Sequence, residues 1–365
     1  MRNLRKYDCR HYKLQKGRMT MASLTIIDIA KICGVGVTTV SRAINNHPDI
    51  SVETKAMIMK VVKENNYVPN NNARNLKRTA SKTIAVLIKG MNNPFFTQMI
   101  DLFEKGIQNK KYSFILHRVY EHQDEIDVAN ELIKEKKLKG IIFLGGYLSH
   151  SKEELERLTV PYVLCTVGLS SEFDSYNYSY VSIDDFQESY KMVDYLCKQG
   201  HKRIALISAS MKDRSIGQLR YYGYKQALED NGLSIDEQLI WPMKSHIESY
   251  SMENGYTVTK EMLEENIDFT AIFAISDAMA IGASKALLQA GRSIPEDCSV
   301  AGFDGLDMTY YYHPSITTIK QPIAEMAQET IKILFDLINK KVTHTQKKFP
   351  AELIVRESTG EVPSS

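Results

Sequence analysis

The stretch VTTVSR places Thr38, Thr39, Ser41 and Arg42 in close succession. Hydroxyls and a guanidinium are hydrogen-bond donors suited to phosphate oxygens and base edges. An arginine forks to a guanine or a phosphate, and a threonine offers a hydroxyl beside a methyl that can meet thymine. Catalytic patterns are absent: there is no Walker loop, no GxSxG elbow, no HExxH or other metal-ligand spacing. The nine histidines form no triad-like pattern with Asp or Ser. Gly34-Val35-Gly36 is not a dinucleotide loop, because no strand precedes it and no third glycine follows at the needed spacing. The chain is therefore expected to be no enzyme and to use no cofactor or metal.

Donors of this kind need a rigid element to hold them out. Ile26, Ile29, Ala30 and Cys33 recur at helical spacing, which predicts a helix capped by Thr25 with Asp28 in its first turn. Gly34 is placed to stop it in a left-handed conformation. From Val37 to Asn45 a second helix turns Val40, Ala43 and Ile44 to one side. Val37, Thr38, Thr39, Ser41 and Arg42 are then left to face outward. Two short helices across a glycine turn make a helix-turn-helix, whose second helix fits a DNA major groove. Ser51 caps a predicted third helix, with Val52, Ala56, Met59 and Val62 inward and Lys63 outward; Asn65-Asn66 and Pro69 end it.

Charge supports a polyanion partner for this end alone. Residues 1–80 carry 15 Lys/Arg against 5 Asp/Glu, an excess of ten positive charges in a chain whose net charge is +2, so the remainder is acidic. Residues 1–20 are basic and aperiodic, expected to be disordered or non-native. A purine-rich ribosome-binding sequence read as codons can encode Lys16-Gly17-Arg18, which suggests a start at Met19 or Met21; the alternative is an extra phosphate-binding arm. No apolar run is long enough for a membrane span and no signal core is present, so a cytoplasmic protein is expected. The five cysteines are scattered without a CxxC pair, so neither a disulfide framework nor a zinc site is expected.

"TIIDIAKICGVGVTTVSRAINN" followed by "YVPNNNARNLKR" resembles the DNA-binding head and hinge of the LacI/GalR family of bacterial transcription regulators. One departure is Gly36, where the family usually has serine; glycine still caps a helix. The resemblance implies that residues 69–80 form a hinge helix that orders on the operator. Leu76 then matches an apolar wedge that kinks the minor groove, flanked by Asn72, Ala73 and Lys77. Without it, the segment reads as a polar linker too short to be helical alone. The DNA-contacting set is Thr25, Val37, Thr38, Thr39, Ser41, Arg42 and Asn45 in the head, with Asn70, Asn72, Ala73, Leu76 and Lys77 in the hinge.

From residue 81 onward, apolar strands alternate with helical stretches. TIAVLI (83–88), YSFILH (112–117), GIIFLGG (140–146) and PYVLCTV (161–167) form one series. YVSIDD (180–185), RIALIS (203–208), AIFAIS (271–276) and CSVAGFDG (298–305) form a second. Ser151 and Glu154 match a capping box. Alternation predicts parallel sheets covered on both faces, and two series predict two lobes. The expected fold is an N-terminal all-α helix-turn-helix head (21–68) with a hinge helix (69–80), then an α/β two-lobe body (81–358) and a tail (359–365). ELIVRESTG (352–360) reads as the last body strand.

The body resembles periplasmic sugar-binding proteins, as the LacI/GalR family does throughout. "MNNPFF", "AIFAISDAMAIGA" and "VAGFDG" carry that likeness. They fall at strand carboxyl ends, where open α/β sheets bind ligands. The resemblance implies an effector pocket of Asn93, Phe95, Phe96, Asp184, Arg214, Arg220, Tyr250, Ser276, Asp277, Asp304 and Gln321, the last in a strand crossing between lobes. Asp277 can equally cap the next helix, and Phe95 can be core. Thr166-Val167 stand where ribose-type proteins carry Asp-Arg, and Ser276 replaces a common Asn. The implied function is a sequence-specific repressor of carbohydrate genes. Its expected partners are double-stranded palindromic DNA, a second copy in a homodimer and a sugar-like effector, with no membrane. No leucine heptad follows the body, so a dimer rather than a tetramer is expected. Control by a purine or a partner protein, or a sugar-binding or sugar-modifying role, are the alternatives.

Overall fold

A computed structural model describes residues 25–65, 67, 82–90, 93–120, 122–146, 151–167, 178–209 and 216–362. The chain divides into two compact units, Met1–Thr79 and Ala80–Ser365. In the first, α1 (Ile26–Cys33) starts at Thr25, whose hydroxyl accepts from the Asp28 amide while the Asp28 carboxylate accepts from the Thr25 amide at 2.9 Å, a reciprocal capping box. Gly34 ends it at φ 63°. Helix α2 (Val37–Ile44) starts at Gly36 without a side-chain cap, and α3 (Val52–Glu64) starts at Ser51, whose hydroxyl accepts from the Thr54 amide. Ile29, Ala30, Val40, Ala43 and Ile58 form the core of this unit.

The inward face of α3 differs from expectation. Ile58 is its buried residue, with Val61 and Val62 packed beside it, whereas Val52 is 83% exposed and Ala56 and Met59 also face solvent. The helix carries two apolar stripes of similar strength, and packing against α1 and α2 selects the one through Ile58. The predicted hinge helix, with Asn70, Asn72, Ala73, Leu76 and Lys77, lies outside the described residues.

In the second unit, the first sheet has the order β11-β5-β4-β3-β1-β2. Its strands are β1 (Thr83–Lys89), β2 (Ser113–Val119), β3 (Gly140–Leu144), β4 (Tyr162–Cys165), β5 (Tyr180–Ile183) and β11 (Gln346–Phe349), all paired in parallel. The second sheet has the order β12-β10-β9-β8-β6-β7. It comprises β6 (Ile204–Ser208), β7 (Ile240–Pro242), β8 (Ala271–Ala274), β9 (Ser299–Asp304), β10 (Thr317–Lys320) and β12 (Glu352–Ile354). The central strands are buried on both faces, which is why they read as unbroken apolar runs. Two lobes of mostly parallel sheet are as expected, with two corrections. β5 belongs to the first sheet, not the second series, and β12 runs antiparallel to β10.

Those corrections share a cause, which is that the chain passes between lobes three times. After β5 it enters α7 (Asp185–Lys198), which packs against α8 (Ile216–Asp230) of the second lobe. After β10 it enters α12 (Ile323–Ile338), which packs on β3, β4 and α4 (Pro94–Asn109) of the first lobe. From β11 it returns to β12. Gln321 sits in the second crossing, just past β10 rather than inside a strand. The remaining helices are α5 (Glu125–Lys136), α6 (Lys152–Glu156), α9 (Met252–Glu264), α10 (Asp277–Gln289) and α11 (Asp307–Tyr311). Ser151 and Glu154 make the expected capping box on α6.

The terminal residues that read as a trailing tail are docked through Val362. Ser358 donates to the Val300 carbonyl, and the buried His201 ring bonds Ser299 and the Gly360 carbonyl. Among the described residues the cysteines are free, no group of acidic, His and Cys side chains could hold a metal, and no helix is long and apolar enough to cross a membrane.

Candidate functional site

In the first unit, burial of Val40 and Ala43 fixes how α2 faces. Val37, Thr38, Arg42 and Asn45 are exposed, and Thr39 and Ser41 are half-buried. The exposed set is one continuous outward surface running from the helix N-terminus, with Arg42 one turn down. Asn45 spends its side-chain amide on the Ser41 carbonyl at 2.6 Å, closing the helix end. Thr25 is committed to capping α1. The surface offers hydroxyl and guanidinium donors and an exposed valine, and no acidic residue lies within α2.

In the second unit, the carboxyl ends of β8, β9 and β10 surround one buried guanidinium. Arg220 of α8 is 2% exposed. Its Nε and Nη2 donate to one oxygen of Asp185, at 2.9 and 2.8 Å, and its Nη1 donates to the Ile275 carbonyl at 2.5 Å. The guanidinium lies 3.6 Å above the Phe303 ring and its Nη1 is 3.8 Å from Asp304. Asp304 ends β9 at φ 127°, and Gln321 donates to its Oδ1 at 3.0 Å. Its Oδ2 is buried without a hydrogen-bond partner. Burial, opposed by Arg220, holds the Asp304 carboxyl well above the ordinary range. Arg220, Asp304 and Gln321 are thus brought together, as the sequence suggested.

Others of the expected set have different duties. Asp184 caps α7 and pairs with Lys348 at 3.1 Å, and the inward-facing carboxylate is its neighbour Asp185. Ser276, not Asp277, caps α10, accepting from the Met279 amide. Asp277 accepts from the Leu306 amide at 2.7 Å and the Thr318 hydroxyl at 2.6 Å, tying the helix to β9 and β10; burial raises its carboxyl to about 6. Phe95 and Phe96 are buried, 5.5 Å apart edge to face, as core of the first lobe. Asn93 caps α4 by accepting from the Phe95 amide. Tyr250 adopts φ 57°, with its backbone carbonyl accepting from Ser276. Arg214 lies outside the described residues.

Three elements were not anticipated. Asp185 was hidden because both residues of the Asp184-Asp185 pair follow a strand buried on both faces, where alternation gives no sidedness. Lys89, at the end of β1, bonds Glu125 at 3.3 Å and the Gln123 carbonyl at 3.0 Å in a nearly buried pair. Gly146, at φ 112°, leaves room for it, since a Cβ there would lie 2.5 Å from the Glu125 carboxylate. Arg118, near the end of β2, reaches Glu248 of the second lobe at 3.7 Å.

Comparison with known proteins decides the family. Residues 25–70 match the family described as bacterial regulatory proteins, lacI family, and residues 193–359 match the periplasmic binding protein-like domain. The HTH-type transcriptional regulator MalR of Clostridium butyricum is 39% identical over 92% of this chain and 99% of its own. The chain belongs to the lacI family. As a lacI-family protein it is a DNA-binding transcriptional repressor and not an enzyme. The NTD biosynthesis operon regulator NtdR of Bacillus subtilis is 32% identical over 92% of the chain and 99% of its own. Among solved structures, the CelR-cellobiose complex superposes with a TM-score of 0.67 at 27% identity, covering 92% of this chain and 99% of that one. A lacI-family regulator from Enterococcus faecium with bound ribose gives 0.65 at 30%, covering 76% and 98%.

Proposed function

We propose that this lacI-family repressor binds a palindromic operator as a homodimer and is controlled by a sugar-like effector held between the lobes of its body. The outward face of α2 carries the DNA half of this reading. Arg42 and Thr38 project from the side opposite the buried Val40 and Ala43, in the arrangement a major-groove helix needs. The effector half is supported by Asp304, whose unpartnered oxygen sits at a strand carboxyl end beside Arg220. The relatives with cellobiose and ribose bound lend it further support. An exposed Tyr310–Tyr311 pair, with Asp307, Lys320 and Arg356 lining a hollow of about 320 Å³ beside it, supplies apolar area and both charge signs, as a self-complementary two-fold face requires.

Effector control works through differential affinity for open and closed bodies, since a ligand shifts an equilibrium only by that difference. The hinge around Leu76 is the element the body would bias, and Leu76 would act there as the wedge that opens the central base step.

Selection of palindromic duplexes from a random pool, with and without a panel of sugars and purines, tests the reading. A selected palindrome whose binding changes with one sugar is expected. Selection that no small molecule alters would favour a partner protein as the controller, and a purine response would move the effector class. Arg42→Ala should cost about 1–3 kcal/mol on the selected operator if it reads a base. A loss equal across all operator variants would make it a phosphate contact. Leu76→Ala should weaken specific binding and spare nonspecific binding; an equal drop in both removes the wedge.

A further inference from the structure

The body is acidic as a whole, yet its cations gather on one edge of the first lobe. Every strand of that sheet runs parallel, so all the amino ends lie along a single edge. The connections that lead from a helix into this edge are residues 110–112, 137–139, 157–161 and 339–345, and Lys82 precedes β1. Together they hold seven Lys, one Arg and no Asp or Glu. Arg157 and Lys341 are ion-paired with Asp127 and Asp336. Lys82, Lys110, Lys111, Lys137, Lys139 and Lys340 are exposed, and none has an acidic partner among the described residues. Residues 168–177, which lead toward β5, lie outside the described residues; their Glu172 and Asp174 would still leave cations ahead by eight to two.

A lysine at a helix C-terminus offsets the helix dipole, and on its own that effect would gather them. The second lobe tells against it, because its helices end on the same kind of edge. The connections into β6, β7, β8 and β9 are residues 199–203, 231–239, 265–270 and 290–298. They set Asp236, Glu237, Glu265, Asp268, Glu296 and Asp297 against only Lys202, Arg203 and Arg292. Equal geometry with the opposite charge means that the lysines answer to something outside the fold. Their placement is also compact. The Lys139 amide donates to the Thr83 carbonyl at 2.8 Å, and the Ser113 amide donates to the Lys82 carbonyl at 2.7 Å. Lys139, Lys82 and Lys111 therefore stand at three adjacent strand ends, which span about 10 Å at the usual strand spacing.

The same edge is where the chain enters the body from the DNA-binding unit, since the boundary is Thr79–Ala80 and β1 opens at Thr83. Duplex DNA carries one negative charge per about 1.7 Å of its axis, so lysines tethered to a DNA-binding head work at a high local concentration of phosphate. We propose that this lysine edge is a second DNA contact, holding backbone phosphates of the duplex that the head occupies. It adds affinity without reading sequence, because phosphate contacts carry no base information.

Salt titration of the full-length protein on a mixed-sequence duplex of about 40 base pairs, read by fluorescence anisotropy, tests this. The triple variant Lys82→Gln, Lys111→Gln, Lys139→Gln should bind about tenfold or more weakly at low salt, and its log affinity should fall less steeply with log salt concentration. Each lost phosphate contact removes about 0.9 from that slope, so a reduction of about 2.7 is expected for each chain bound. A second triple, Lys202→Gln, Lys260→Gln, Lys285→Gln, removes the same charge from exposed positions of the second lobe and should leave the slope as it is. A slope that both triples lower alike would reduce the effect to net charge and overturn the contact. A first-lobe triple that keeps the wild-type slope and affinity overturns it too.

Discussion

Asp277 shows how one buried carboxylate sets a pH dependence. Burial raises it from the ordinary value of 3.8 to about 6, against the hydrogen bonds from Thr318 and Leu306. A group whose folded pKa exceeds its unfolded one stabilises most fully below the unfolded value, and that contribution is lost as pH rises through the folded value. Stability should thus fall on this account between about pH 4 and 6. Asp277→Asn keeps an acceptor for Leu306 and lets the Thr318 hydroxyl turn to accept. Its melting temperature should be flatter over that window than wild type; an identical slope would place the titration elsewhere. At this scale the sequence was partly legible. The resemblance to the family, and not periodicity, singled out Arg220, Asp277, Asp304 and Gln321; the structure groups Arg220, Asp304 and Gln321 and ties Asp277 to Leu306 and Thr318. Whether Asp184 or Asp185 faced inward depended on a helix start one residue away.

Between elements, α9 and α10 approach closely. Gly255 on one and Gly282 on the other let the backbones touch: a Cβ on Gly255 would lie 2.1 Å from the Met279 carbonyl, and one on Gly282 would lie 2.0 Å from the Met252 carbonyl. Neither obstacle is a side chain that can swing away, so the helices must separate. Gly255→Ala should destabilise the body by about 1–3 kcal/mol, read by urea denaturation. A change within a few tenths of a kcal/mol would mean the crossing is soft. Most body strands were readable as continuous apolar runs, which two-sided burial writes, but the short β7 and β10 and the polar, exposed β11 were not. What periodicity cannot carry is which sheet a strand joins, and β5 was assigned to the wrong lobe for that reason. The stripe on α3 failed in the same way: Ile58 and Met59 are equally apolar, and the partner surface chose.

For the whole molecule, one described ion pair bridges the two sheets at their outer edge strands. Arg118 leaves the end of β2 and meets Glu248, on a loop beyond β7. The buried Asn254 braces that loop, accepting from the Lys244 amide and donating to the Lys244 and Glu248 carbonyls. Both charged partners are about two-fifths exposed, so the pair is worth about 0.2–1 kcal/mol. Glu248→Gln should change effector affinity by no more than about fivefold. The change should shrink as salt rises, and the exchange Arg118→Glu with Glu248→Arg should restore it. An effect that salt leaves untouched would mean Glu248 touches the ligand instead.

The triple passage of the chain between lobes has a consequence for biosynthesis. Synthesis is directional, and domains usually fold as they emerge from the ribosome. Here the first lobe waits for α12 and β11, which end at Phe349, and the second waits for β12 only a few residues later. Neither lobe can close its sheet until residues 346–354 have been made, so the two mature together. A chain that stops before residue 346 would leave two open sheet edges at once, giving a cell prompt grounds to degrade the fragment.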